Sequence, residues 1–546
     1  MYTTDKSAQI VLSLLKQYGI KKIVVSPGTT NVPIAMTVQN DPWFEVYSVV
    51  DERSAAYFAT GLAYESGEPV VISCTGATAS RNYLSGLTEA YYRNLPIIAL
   101  TSQHHVADRR DLTPQVTDRS VSQNDIKKVS AMLPVVKDTE DFERCETLVN
   151  DALIKATTRG GGPVHINLLV DSSYPFTQQP SDFIARKIQY YDDELISHCM
   201  KDLKNELKDK KIGVFIGSHR KFTSDELKSI EQFADSYDVA FFTDHTSNYK
   251  GKNQVLIAQI FGALRSTNKP DLVIDMGGIT GDYDINSALE GIDVWRLSED
   301  GEIHNRFHRM TKLFDSKERR FFEILVGRKN SKHSYFKSLA TEADRFIVPE
   351  MPLSNTYISG RLAATIPANS NLHMSILNSL RNMNFYPLDK SIDASCNVGG
   401  FGIDGPVSTL IGQSMVHEDK LYFGLIGDLA FFYDMNALGI RHVGSNLRML
   451  VVNNNQGVEF RLNSILEGHW GEKTNDLIAA TGHNGSVKAW AESVGFRYLS
   501  ADNIDTFDQQ IDEFCSPDVG SFDRPVIFEV FTNTDDEQTA HDLIRM

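Results

Sequence analysis

The sequence predicts an α/β protein made of three doubly wound parallel-sheet domains. Three observations predict it. Short apolar runs alternate with helical stretches along most of the 546 residues. Such alternation implies parallel sheets covered on both faces. The pattern is broken twice, by a polar, Pro-containing link at 171–182 and by a charged stretch at 315–332. The length suits three domains of ordinary size, each with ample core. The expected domains span 1–178, 190–335 and 350–546.

Taken in order, residues 23–25, 70–72, 97–100 and 164–168 read as strands of the first domain, with helices between them, for instance at 55–65. The middle domain repeats the alternation with strands at 212–216, 239–242 and 272–276. A third α/β region begins near Pro349, with strands at 391–394, 422–426, 449–452 and 526–530. No short-period repeat or low-complexity segment interrupts them.

Bulk properties exclude several function classes. A formal charge of −17, with no basic cluster to offset it, argues against nucleic acid as a partner. Residues 6–20 read as an amphipathic helix rather than a signal peptide, and no apolar run reaches membrane-spanning length. The five cysteines are scattered without Cys-x-x-Cys spacing, as for reduced thiols rather than disulfides or zinc ligands. A cytoplasmic protein without a membrane partner is expected. His304 and His308 can share a helical face but lack the acidic partner of a metalloprotease arrangement.

The most informative segment is Leu425-Ile426-Gly427-Asp428-Leu429-Ala430, followed by a helix-like run at 432–442 and then Met449-Leu450-Val451-Val452-Asn453-Asn454-Asn455-Gln456-Gly457. Asp428 and Asn455 lie 27 positions apart, on expected loops at one edge of a parallel sheet. A carboxylate and a carboxamide are hard oxygen donors suited to Mg²⁺, which keeps room for phosphate oxygens. The alternative is a buried strand pair whose Asp and Asn cap helices.

This pattern resembles that of thiamine diphosphate enzymes, which carry Gly-Asp-Gly, a similar gap, then Asn-Asn. Leu429 in place of the last glycine, with Tyr433-Asp434-Met435-Asn436-Ala437-Leu438 and the triple asparagine, resembles the menaquinone-pathway synthase branch. That branch joins a decarboxylated 2-oxoglutarate to isochorismate. The resemblance covers nearly the whole chain and is weakest between 185 and 350. It implies pyrimidine-binding, central and diphosphate-binding domains in that order. It implies a metal held by Asp428, Asn455 and the Gly457 carbonyl, with Gly427, Leu429 and Ala430 beside the cofactor. Val49-Val50-Asp51-Glu52-Arg53-Ser54-Ala55 resembles the segment whose glutamate hydrogen-bonds the aminopyrimidine, which assigns that role to Glu52. Otherwise Glu52 is simply an acid in a first helical turn, favoured by the dipole. In Gly400-Phe401-Gly402-Ile403-Asp404-Gly405 the match makes Ile403 the apolar wedge under the cofactor, with Gly402 beside it. The same glycines form a dinucleotide-type spacing, so a nicotinamide or flavin oxidoreductase is a rival reading. Asn378-Ser379 resembles the turn near the diphosphate. Ser26-Pro27-Gly28, Thr75 and Asn82 resemble first-domain cofactor contacts.

Positions that hold acidic substrates in that branch read differently here. Ser26-Pro27-Gly28 is followed by Thr29-Thr30, Gln103 by His104-His105, and Asn397 by Val398. After Asn378-Ser379 the expected arginine position is Met383, with Arg381 nearby. Losing carboxylate clamps is not conservative. The expected reaction is therefore decarboxylation of a 2-oxo acid with carboligation to an acceptor, on a smaller or less anionic substrate. Simple decarboxylation is the runner-up. Gln115 resembles a retained substrate-binding glutamine, and His104 and His105 are candidate acid–base groups. Glu459 stands where relatives carry an apolar pocket residue, and is a pocket acid or a solvent-facing strand residue. The expected cofactors are thiamine diphosphate and Mg²⁺, and the expected assembly is a homodimer or a dimer of dimers.

Overall fold

A computed structural model describes residues 1–104, 117, 123–170, 175–266, 268–282, 284–330, 333–462, 471, 478–479 and 482–545. It comprises two compact units. The first is Met1–Tyr191 with Asp300–Asp315, and the second is Asp192–Glu299 with Ser316–Met546. Among the described residues no helix is long and apolar enough to cross a membrane.

The first unit is built on six strands, β1 (Lys22–Val25), β2 (Glu45–Ser48), β3 (Val70–Thr75), β4 (Ile97–His104), β5 (Ser130–Met132) and β6 (Val164–Val170). Their order is β2-β1-β3-β4-β6-β5, with every neighbour parallel. Strand period two divides the core. On one face Ile98, Leu100 and Ile166 pack with Ile10 and Leu14 of α1 (Lys6–Gln17) and Val149 and Leu153 of α3 (Thr139–Thr157). On the other, Ile72, Ile97 and Ala99 pack with Ala55, Ala59 and Ala63 of α2 (Glu52–Ser66). Both faces are covered, so the strands read as continuous apolar runs. The short edge strands β2 and β5 escaped the sequence reading because they are polar and largely exposed.

Asp51 caps α2 by accepting the Arg53 and Ser54 N–H groups at 2.9 and 3.3 Å, and Gly67 ends it at φ +67°. The buried face of α2 is Ala-rich, which lets the next helix approach closely. A Cβ on Gly86 would lie 2.5 Å from the Ala56 methyl.

The second unit contains two parallel sheets. One includes β7 (Lys211–Ile216), β8 (Asp238–Thr243), β9 (Gln254–Leu256), β10 (Leu272–Met276) and β11 (Val294–Ser298), in the order β9-β8-β7-β10-β11. The other has β12 (Asn371–Met374), β13 (Asp393–Cys396), β14 (Tyr422–Gly427), β15 (Leu447–Asn453), β16 (Arg497–Ala501) and β17 (Val526–Phe531). Its order is β13-β12-β14-β15-β17-β16, again all parallel. Period two again splits the core: Leu425, Leu450 and Phe528 face one side, Ile426, Val451 and Ile527 the other. The predicted α/β class with several parallel sheets is therefore what the chain adopts.

Two element boundaries differ from expectation. The strand expected at 391–394 begins at Asp393. The Asp389 carboxylate accepts the Ser391 N–H at 2.8 Å and its hydroxyl at 2.5 Å, so residues 389–392 form a turn. The helix expected at 432–442 is instead α7 (Asp428–Asp434), followed by a 3-10 turn, Met435–Gly439. It starts directly after β14, and its end is set by tertiary contacts. The Trp490 indole N–H takes the Met435 carbonyl at 2.7 Å, and Asp434 turns to accept Ser408.

Candidate functional site

In the first unit the sequence-selected residues gather at the carboxyl ends of β1, β3 and β4, where open α/β sheets bind ligands. Ser26 is buried and its hydroxyl donates to the Val49 carbonyl at 2.8 Å. Pro27 and Gly28 follow it, exposed. Gly28 is extended, so its need for glycine is steric: a Cβ would lie 1.9 Å from Thr75 Oγ1. The hydroxyls of Thr75 and Ser102 are buried and, among the described residues, have no hydrogen-bond partner. Leaving such groups unmade costs about 1–3 kcal/mol each. They fit a ligand with polar atoms. Glu52 is the first residue of α2, half-buried, and Asn82 Nδ2 donates to its Oε2 at 3.5 Å. His104 ends β4, half-buried. His105 and Gln115 lie outside the described residues.

In the second unit Asp428 is not on a loop. It opens α7 with Gly427 extended before it, and it is 2% exposed. Its Oδ1 accepts the Leu429 N–H at 2.7 Å. Its Oδ2 accepts the Asn454 and Asn455 N–H groups at 3.0 and 2.8 Å. His483 Nε2 also lies 3.0 Å from Oδ2. Because the Gly485 N–H donates to His483 Nδ1 at 3.2 Å, the ring proton sits on Nε2 and is given to Asp428. Burial pushes the Asp428 carboxyl above its usual range, against the lowering effect of these donors. Among the described residues Oδ2 has three donors and Oδ1 one, so Oδ1 retains acceptor capacity.

Asn455 adopts φ +66°, a left-handed turn that asparagine tolerates, and its side chain is exposed. The turn is pinned by Gly482 N–H donating to the Asn455 carbonyl at 3.3 Å and Gly457 N–H donating to Ala479 O at 2.6 Å. The Gly457 carbonyl accepts the Phe460 N–H at 3.1 Å and keeps a second lone pair. The structure thus brings the turn of Asn455 onto the Asp428 carboxylate. Among the described residues no group of three or more His, Cys, Asp or Glu is arranged to hold a metal. One carboxylate with amide and backbone oxygens is a different donor set, suited to a hard cation that also binds phosphate.

Ser379, in α5 (Asn378–Met383), is tied to the same edge. The Ser375 hydroxyl donates to Ser379 Oγ at 3.0 Å and accepts the Gly427 N–H at 3.2 Å. Leu377, before α5, is held at φ +70°, a costly conformation for a branched residue. Leu429 is half-buried and Ala430 is buried. Ile403 packs against the cores on both faces of the sheet, and Gly402 lines an open cavity of about 620 Å³ with Asn397, Asp404 and Gly405. Gly400 to Gly405 is irregular chain between the end of β13 and α6 (Pro406–Ser414), rather than a tight turn from strand into helix.

Residues 5–131 match the family described as thiamine pyrophosphate enzyme, N-terminal TPP binding domain. A 2-succinyl-5-enolpyruvyl-6-hydroxy-3-cyclohexene-1-carboxylate synthase from Bacteroides fragilis is 31% identical, over 98% of this chain and 97% of the relative. The chain belongs to the thiamine diphosphate-dependent enzyme family. Synthases of the same name from Bacteroides thetaiotaomicron and Phocaeicola vulgatus are 29% and 28% identical, covering 97% and 98% of those proteins.

Sequence reading of this thiamine diphosphate enzyme missed two site residues. His483 gave no signal, since its partner lies 55 positions away. Glu529 did: an acid inside the apolar run Val526-Ile527-Phe528-Glu529-Val530 needs partners. Fully buried, it accepts Asn453 Nδ2 at 2.7 Å, the Val487 N–H at 3.1 Å, the Ser486 hydroxyl at 2.6 Å and the Tyr498 hydroxyl at 2.8 Å. Asn453 Nδ2 also donates to Gly485 O at 2.9 Å, so Glu529 fixes the loop that carries His483. Glu459 is no strand residue: it opens a short helix, Glu459–Leu462, and pairs with Arg381.

Proposed function

We propose that this enzyme decarboxylates a 2-oxo acid and transfers the remaining acyl unit to an acceptor, using thiamine diphosphate and Mg²⁺. The Asp428 arrangement carries the reading: a buried carboxylate with one unsaturated oxygen, held against an Asn-Gly turn at the carboxyl edge of a parallel sheet. Asp428 Oδ1, the Asn455 carboxamide and the Gly457 carbonyl would hold the cation, which would supply positive charge to the diphosphate. Ser379, Asn378, Gly427, Leu429 and Ala430 would line the diphosphate, and Gly402 and Ile403 the thiazolium ring. When bound, thiamine diphosphate supplies the nucleophilic carbon and the electron sink that decarboxylation requires. Glu52 would hydrogen-bond the aminopyrimidine and set its tautomer, with Ser26, Pro27, Gly28, Thr75 and Asn82 around it. His104, His105 and Gln115 would contact substrate. Residues 1–178, 190–335 and 350–546 would serve as pyrimidine-binding, central and diphosphate-binding domains.

The relatives are named as synthases of 2-succinyl-5-enolpyruvyl-6-hydroxy-3-cyclohexene-1-carboxylate. The missing arginines favour a less anionic substrate here. The test is CO₂ release from a panel of 2-oxo acids by protein loaded with thiamine diphosphate and Mg²⁺, with and without aldehyde, ketone and activated-alkene acceptors. Release that depends on both cofactors, with a ligation product, is expected. Tight cofactor binding without CO₂ from any 2-oxo acid would defeat the proposal.

A further inference from the structure

We propose that Glu459 sets the charge of the substrate this site accepts, by engaging the guanidinium of Arg381. The inference rests on the 2-oxo acid reading above and names the specificity of that same site. Arg381 Nη1 forms an ion pair with Glu459 Oε1, with side-chain exposures of 12% and 18%. Arg381 Nε points to the Gly281 carbonyl at 3.4 Å. Asp282 lies within Coulombic range of the same guanidinium. The Asn378 amide, oriented to satisfy its neighbours, donates to Glu459 Oε2 at 2.9 Å and accepts the Glu459 N–H at 3.3 Å.

These contacts join the two sides of the candidate site. Glu459 lies two residues beyond Gly457, on the turn that meets Asp428. Asn378 opens α5, whose Ser379 is hydrogen-bonded through Ser375 to the residue before Asp428. Arg381 is therefore a cation beside the turn that meets Asp428, and its planar fork is matched to carboxylate. Glu459 takes that fork from within the chain. A second carboxylate on an incoming substrate must displace Glu459 and leave an acid unpaired in a half-buried position. A substrate with one carboxylate pays no such penalty. The pair turns a potential dicarboxylate clamp into a neutral wall.

The experiment measures calorimetric affinities of the thiamine diphosphate- and Mg²⁺-loaded protein for acetylphosphonate and succinylphosphonate, non-decarboxylating mimics of a 2-oxo acid with no second carboxylate and with one. Wild type should favour acetylphosphonate. Glu459→Gln, which keeps the side chain's shape and one acceptor oxygen but not the charge, should move the affinity ratio towards succinylphosphonate by at least about tenfold. Arg381→Met should move it the other way, and the double variant should lose the Glu459→Gln gain. An unchanged ratio in Glu459→Gln, a gain retained in the double variant, or a parallel loss of both affinities in both single variants would overturn the proposal. The last outcome is what a merely structural ion pair produces. Wild type that binds thiamine diphosphate but neither phosphonate would instead bring down the 2-oxo acid reading, and this specificity with it.

Discussion

Asp428 is held by four donors, and the distribution matters more than the number. Three converge on Oδ2 and one on Oδ1, so the carboxylate presents one defined oxygen rather than a diffuse charge. Asp428→Ala and Asn455→Ala should each raise the Kd for thiamine diphosphate at limiting Mg²⁺ by at least about tenfold. Unchanged cofactor affinity in both variants would place the metal elsewhere. Glu52 sits at the first position of α2 with Asn82 as its neighbour. Glu52→Gln should fold and bind cofactor, yet lose at least about a hundredfold in turnover. Wild-type rates of proton exchange at the bound thiazolium C2, followed by NMR, would remove Glu52 from that role.

At the scale of elements, α8 (Thr534–Arg545) is fastened to α4 (Asn355–Thr365) by a buried acid. Glu537 Oε1 accepts the Asn355 N–H at 3.0 Å and the Thr532 hydroxyl at 2.7 Å, and the residue is 2% exposed. Burial raises its pKa from 4.5 to about 7, with a smaller contribution from the charge of Asp428. Between these values the unfolded chain gives up the proton while the folded chain keeps it. Stability therefore falls as pH rises through this window and levels off above it, a loss of about 3 kcal/mol. Glu537→Gln keeps an oxygen for both donors and has no proton to lose. Thermal melts at pH 5 and pH 8 should show wild type losing more stability than the variant between the two. Equal losses would mean that Glu537 does not titrate there. The elements that were legible in sequence are the doubly covered strands, such as β3 and β14, whose apolar runs need no partner to be recognised. The end of α7 was not, because Trp490 and Ser408 decide it from distant sequence.

For the whole molecule, Glu52 belongs to the first unit and Asp428 to the second. The helix that carries Glu52 also exposes Tyr57, Phe58 and Tyr64, at 48%, 43% and 64%. Exposed aromatics on the face of a site helix mark an interaction surface. We propose that a second copy of the chain covers it and that each active site is shared between two chains, in a homodimer or a dimer of dimers. Mixing inactive Glu52→Gln with inactive Asp428→Ala chains under exchange conditions should restore activity to about one quarter of wild type, since random mixing gives each mixed dimer one intact site. No recovery despite demonstrated subunit exchange, or a fully active monomer, would overturn shared sites.

The sequence by itself determined the α/β class, the parallel sheets and the family. Strands buried on both faces must be apolar throughout, and a Gly-Asp strand end followed by Asn-Asn at a fixed distance is a local pattern. It also picked out Glu52, Asp428 and Asn455 as candidate site residues. Only the tertiary structure decided that Asp428 starts a helix, that the His483 Nε2–H donates a hydrogen bond to that carboxylate, that Glu529 anchors the intervening loop and that Glu459 engages Arg381. The last three depend on a partner tens of residues away. Hydrogen bonds and charge pairs of that kind are chosen by how the strands order in the sheet, and that order leaves no periodic mark along the chain.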